Sequence, residues 1–192
     1  MKRNFLVLLS FSGILLAASV SQAVYIDPYF GFLVASTVST EVPSTPSTSE
    51  GDISGSGIGL RLGWSFVGLA VGVDYQMTST TEKQTAGSAV GQETKSKVTN
   101  LGIFADYELP ILPLRVYGAY ILDSTIDPET AGSADTKGSG IKIGAGFTGL
   151  PFVAINLDYS TLKYDESSPA SAVAFESNAK IVMLSVSLPL NL

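Results

Sequence analysis

The chain of 192 residues contains no cysteine and no histidine. Without cysteine, no disulfide can brace it, even in an oxidising compartment. Without histidine, it lacks the commonest general base and the commonest transition-metal ligand. Positive charge is scarce as well: 11 Lys and Arg stand against 17 Asp and Glu. No basic patch is available to neutralise phosphates, so a nucleic-acid partner is not expected. Past the N-terminal segment there is no apolar run of about 18 residues, which excludes a transmembrane helix there. Yet 45% of the residues are hydrophobic, and these must be arranged in some other way.

What is present begins with "MKRNFLVLLSFSGILLAASVSQA", residues 1–23. Lys2 and Arg3 make a basic start, Phe5 to Val20 an apolar core, and Ser21-Gln22-Ala23 a small-x-small cleavage site. This is the build of a secretory signal peptide, with a single domain expected over 24–192. Its removal takes away two positive charges and no negative ones, so the remainder is more acidic still.

The remainder alternates with period two and shows no convincing helical period. Eight strands are expected, at 24–36, 55–66, 67–78, 97–109, 114–123, 138–149, 152–163 and 179–190. Each is long enough to cross a bilayer at a tilt, which needs about 9–11 residues. The connections alternate between long and short. The long ones, at 37–54, 79–96, 124–137 and 164–178, are rich in Ser, Thr, Gly, Pro and acid. The short ones lie near Phe66-Val67, at "PILP" (110–113) and at "GLP" (149–151). Long loops at one end and short turns at the other describe an up-and-down antiparallel β-barrel of the outer-membrane kind.

Composition decides which face is out. In "VGLAVGVDYQMT", residues 67–78, Val67, Leu69, Val71, Val73, Tyr75 and Met77 alternate with Gly68, Ala70, Gly72, Asp74, Gln76 and Thr78. A soluble lipocalin-like barrel would turn the first set inward and the second to water. But the second set is dominated along the chain by Gly, Ala and Ser, which make a poor solvated strand face. Small residues suit the narrow interior of an eight-stranded barrel, so the bulky set is expected to face lipid. Trp64, Phe66, Tyr107 and Phe147 then point outward near the short turns, and Tyr75 and Tyr159 roughly 20 Å higher, as two aromatic girdles would.

The small face carries charge, and hairpin register predicts its partners. Lys142 is expected opposite Asp158, Glu108 opposite Arg115, and Arg61 diagonal to Asp74. Asp27 and Asp106 are further inward acids, and Phe104 and Ile121 face inward on the same register. Buried charge is costly without a partner, so these pairs read as a polar plug that fixes register and closes the lumen. "GSGIGL" and "GSGIKIG" lie inside strands, with no helix after them to complete a phosphate-binding loop. The loop acids Glu41, Glu50, Asp52, Glu82 and Glu93 lack the spacing of a calcium loop. No catalytic, cofactor-binding or metal site is expected.

Residues 24–192 resemble the small eight-stranded outer-membrane barrels of Gram-negative bacteria, the OmpA/OmpX type sometimes described as porin family proteins. The resemblance rests on the signal segment, the eight dyad strands and the closing "KIVMLSVSLPLNL" (180–192), which is similar to the C-terminal signal read by the barrel-assembly machinery. It departs from that signal in ending on Leu192, where the family usually has an aromatic residue. The resemblance implies a monomer in the outer membrane, in contact with lipopolysaccharide and inserted by that machinery. Its long loops would meet an extracellular ligand or stabilise the envelope, without enzymatic activity. No peptidoglycan-binding tether is expected after Leu192. A narrow porin-like channel and a soluble periplasmic binder are the alternative functions.

Overall fold

The computed structural model describes residues 23–42, 47–87, 90–129, 135–168 and 176–192; the expected signal segment, apart from Ala23, lies outside them. The strands are β1 (Ala23–Val42), β2 (Ser47–Phe66), β3 (Leu69–Ala86), β4 (Glu93–Glu108), β5 (Leu114–Pro128), β6 (Asp135–Leu150), β7 (Val153–Ser168), β8 (Glu176–Ser187) and β9 (Leu190–Asn191). From β1 to β8 each strand pairs antiparallel with the next in sequence, and β1 also pairs with β8 and β9, which closes the sheet. β8 and β9 form one stave, interrupted at Pro189, whose nitrogen has no hydrogen to give the ladder. Eight staves therefore make the barrel. Following directly opposed residues once around from Asp27, through Arg61, Asp74, Gly102, Ile121, Gly140, Leu162 and Ala179, returns to β1 at Val38. That displacement along the strand is the stagger that forces the strands of a closed barrel to tilt.

The strands run well past their expected limits at the long-loop end. Much of 37–54, 79–96, 124–137 and 164–178, read from composition as loop, is strand. The first three of these segments carry several Thr, a β-branched residue that suits a pleated ladder even when polar. Once the barrel has set the register, each added pair extends a hairpin already nucleated.

The turn between β2 and β3 is also shifted. It occupies Val67 and Gly68, with Phe66 opposite Leu69, so Arg61 stands directly opposite Asp74 rather than diagonal to it. A shift of this even size leaves every side chain on its expected face. β1 carries a bulge after Leu33, where its register shifts before Ser36 against β2 and before Thr37 against β8. The Ser36 hydroxyl accepts from the Val182 N–H at 3.2 Å, replacing a ladder bond that the bulge displaces.

The exterior is apolar from the short turns upward and changes character at one level. The outward series gives way from Ile58 to Ser56 on β2, Met77 to Ser79 on β3 and Leu101 to Thr99 on β4. It does so again from Ile141 to Ser139 on β6, Tyr159 to Thr161 on β7 and Val182 to Lys180 on β8. Below that level no outward-facing residue among those described is charged.

Candidate functional site

The lumen holds the chemistry. Arg61, Arg115 and Lys142 meet Asp27, Asp74, Asp106 and Asp158 there, all nearly inaccessible to solvent. They arrive from seven of the eight staves, because each sits on the inward parity of its strand.

Arg61 is the hub. Its Nη1 donates to Asp27 Oδ2 at 2.8 Å, its Nε lies 3.9 Å from Asp74 and its Nη2 3.7 Å from Asp158. The rings of Tyr29 and Tyr117 lie against its guanidinium, 4.7 and 4.2 Å from the central carbon to the ring centroids. This aromatic enclosure adds cation–π attraction where water is excluded. Arg115 is more fully hydrogen-bonded. It donates to Asn156 Oδ1 from Nε and Nη2 at 3.1 and 2.8 Å, to Ser187 Oγ at 2.8 Å and to the Tyr25 hydroxyl at 2.7 Å. Its Nη1 also bridges Asp27 and Asp106 at 2.9 and 3.2 Å. Lys142 Nζ donates to Asp74 Oδ2 at 2.7 Å and to Gln76 Oε1 at 2.9 Å.

Two expected pairs are corrected by these contacts. Lys142 does not pair with Asp158. It stands opposite Ser160, while Asp158 stands opposite Gly144, because the β6–β7 turn is centred on Pro151-Phe152 and the ladder shifts between Phe147 and Leu150. The Lys142 ammonium instead crosses the lumen to Asp74, and Asp158 accepts from Tyr117. Glu108 is directly opposite Arg115 as expected, yet it does not bind it. Glu108 is exposed at the barrel mouth, where water can solvate a carboxylate. The buried Asp27 and Asp106 have no such alternative, and they hold Arg115.

Tyr25, Tyr29 and Tyr117, which the sequence reading did not single out, complete the cluster. Each hydroxyl donates to a lumen carboxylate: Tyr29 to Asp74 at 2.8 Å, Tyr117 to Asp158, and Tyr25 to Asp27 at 3.2 Å and Asp106 at 3.3 Å. Parity alone could have found them, since Tyr25 and Tyr29 flank Asp27 on one face of β1 and Tyr117 shares the face of Arg115. Their rings explain two of the inward glycines. Tyr29 lies across Gly59 and Tyr117 across Gly144, each directly opposite in the ladder, where a Cβ would collide with the ring. Replacing Gly59 with valine should therefore push Tyr29 off Arg61 and lower stability by about 1–3 kcal/mol, an overpacking cost. Urea unfolding of the folded protein measures it, and an unchanged midpoint would show that the ring has room to move.

Farther from the short turns, the lumen is closed by Val38, Ile121, Leu162, Tyr164 and Ala179. Ser124 caps this apolar layer, bonded to Tyr164 at 2.8 Å and donating to Asn100 at 2.6 Å. Phe104 is buried nearer the other end, packed with Tyr25, Ala70 and Ala119. Trp64, Phe66, Tyr75, Tyr107, Phe147 and Tyr159 are all exposed on the exterior. Ion cluster and apolar layer occupy successive levels of the lumen, and a cavity of about 320 Å³ lined by Tyr25, Asp106, Glu108 and Arg115 lies at the short-turn end.

Among solved structures, the chain is similar to Neisserial surface protein A, with a TM-score of 0.51 and 14% identity over 88% of this chain and 98% of that one. It has the fold of a small outer-membrane β-barrel. Weaker likenesses extend to the outer membrane protein OprG of Pseudomonas aeruginosa (TM-score 0.47, 10% identity, 88% of this chain and 97% of that one). They extend also to the outer membrane protease OmpT of Escherichia coli (TM-score 0.43, 9% identity, 91% and 99%). No protein-family model and no curated protein matches the chain.

Proposed function

We propose that residues 24–192 are an integral outer-membrane barrel, monomeric and non-enzymatic, with residues 1–23 removed on export. Its lumen is a structural plug, and its polar strand extensions and long-loop end reach outside the cell for surface interaction or envelope stability. Lipopolysaccharide surrounds the outer half, and the barrel-assembly machinery inserts the chain. Trp64, Phe66, Tyr107 and Phe147 form the lower aromatic girdle; Tyr75 and Tyr159 belong to the upper one.

The observation that carries this reading is the uncharged apolar exterior ending at a common level on successive strands. Water does not tolerate so continuous an exposed apolar surface on a monomer, whereas hydrocarbon requires it. Fractionation of cells expressing the chain tests it. Recovery with outer membranes and release only by detergent are expected; recovery in the soluble fraction would favour a lipocalin-like binder instead. In planar bilayers the protein should give no open-channel steps. Reproducible steps abolished by altering Arg61 or Lys142 would make it a pore.

A further inference from the structure

The end of the barrel that bears the short turns carries apolar side chains where turns in water carry polar ones. Val67 is 71% exposed, Ile111 91% and Phe152 81%, one or more in each of the three turns. No residue of 67–68, 109–113 or 151–152 is charged. At the opposite end every outward series passes to Ser, Thr, Lys or Asp before the strand ends. At this end the exterior runs from the belt through Phe66, Leu69, Leu114 and Leu150 to the tips with no polar collar between.

Two of the tips hold their apolar residue against backbone preference. Val67 has φ 46° and Phe152 φ 63°, in the left-handed region that favours glycine or asparagine. Both belong to two-residue turns, closed by the pairs Phe66–Leu69 and Leu150–Val153. A bulky side chain in such a position is strained, and in water its exposure would return nothing.

Several backbone groups of the turns are satisfied without water. Glu108 N donates to the Gly68 carbonyl at 2.7 Å and Thr148 N to the Pro113 carbonyl at 2.8 Å, so two of the turns are bonded to the end of a neighbouring strand. Leu109 N donates to the Leu114 carbonyl at 2.9 Å and Leu114 N to that of Leu112 at 2.7 Å. Pro110, Pro113 and Pro151 have no N–H to satisfy. Unpaired backbone groups are what keep irregular segments out of lipid, and here many are paired or removed.

We infer that the three short turns are sunk into the headgroup–acyl boundary of the near leaflet, with phospholipid as their partner. The barrel is then anchored by its turn tips and has its whole hydrophilic overhang on the far side. This rests on the membrane reading above and fixes the depth at which the barrel sits in it.

The single tryptophan makes the two claims separable. The protein is folded into phosphatidylcholine vesicles whose acyl chains are brominated near the glycerol end, with heat-dependent gel mobility confirming the fold. Trp64, in the belt, should be quenched. In a Trp64→Phe background, Ile111→Trp and Phe152→Trp should be quenched to a comparable degree and emit at shorter wavelength than Val90→Trp in the opposite loop, which should stay unquenched. Ile111→Cys bearing a polarity-sensitive dye, in a chain with no other cysteine, repeats the measurement without a new ring. If Trp64 itself is unquenched, the membrane reading fails and this inference with it. If Trp64 is quenched but either turn position is not, the turns stand in water or meet a soluble partner, and the inference alone is overturned. Equal quenching at Val90 would overturn the asymmetry.

Discussion

Replacing Arg61 with methionine is expected to destabilise the barrel by about 3–5 kcal/mol, the range for breaking a buried ion pair by removing one partner. The cost comes from what stays behind. Asp27, Asp74 and Asp158 remain buried around an uncharged side chain, and the Tyr29 and Tyr117 rings lose the cation they enclose. Lys142 still serves Asp74 and Arg115 still serves Asp27, which keeps the effect below a full uncompensated charge for each acid. Urea unfolding in vesicles, followed by Trp64 emission, gives the number. Adding Asp27→Asn to the methionine variant should recover part of the loss, since it withdraws one of the stranded carboxylates. A change of less than about 1 kcal/mol in the single variant would mean the cluster holds no register, because that is the range of exposed pairs, many of which contribute nothing measurable. Lys163→Met is the control: its partner Glu176 lies 3.1 Å away but both are about half exposed, and the unfolding midpoint should not move.

Val73→Lys addresses the other face. Val73 lies midway along the outward series of β3, between Leu69 and Met77, and is exposed to whatever surrounds the barrel. In a bilayer a lysine there should cost about 2–4 kcal/mol, against about 0–1 near the interface. Ser79→Lys, one step beyond Met77, should be nearly silent. Refolding both variants into vesicles of one lipid composition and comparing their unfolding midpoints measures the difference directly. Two equal midpoints would place both positions in the same solvent and remove the membrane belt from the account.

The division of residues between the two faces was legible because side-chain period in a strand is two, and parity survives errors in where a strand starts. Thus Trp64, Tyr75 and Tyr159 are outside, and Arg61, Asp74, Asp106, Phe104 and Ile121 inside, although several strand limits were too short. Those limits were less legible because a polar strand rich in Ser and Thr and a polar loop share a composition. Only pairing distinguishes them, and pairing depends on a neighbour remote in sequence.

Charge partners were the least legible. Hairpin arithmetic compares a strand with its sequence neighbour; it named Asp74 as a neighbour of Arg61 but set it diagonal, two residues out of register from the direct opposition that the ladder has. It failed for Lys142 and for Arg115, whose long side chains cross the lumen to Asp74 on β3 and Asp27 on β1. Those encounters exist only after closure, when stagger brings inward residues from distant staves to one height. The sequence by itself determined the period, the faces, the lack of histidine and cysteine, and which end of the strands is polar. The tertiary structure alone decided which cation meets which acid, because closing and tilting the sheet sets distances that no pair of adjacent strands contains.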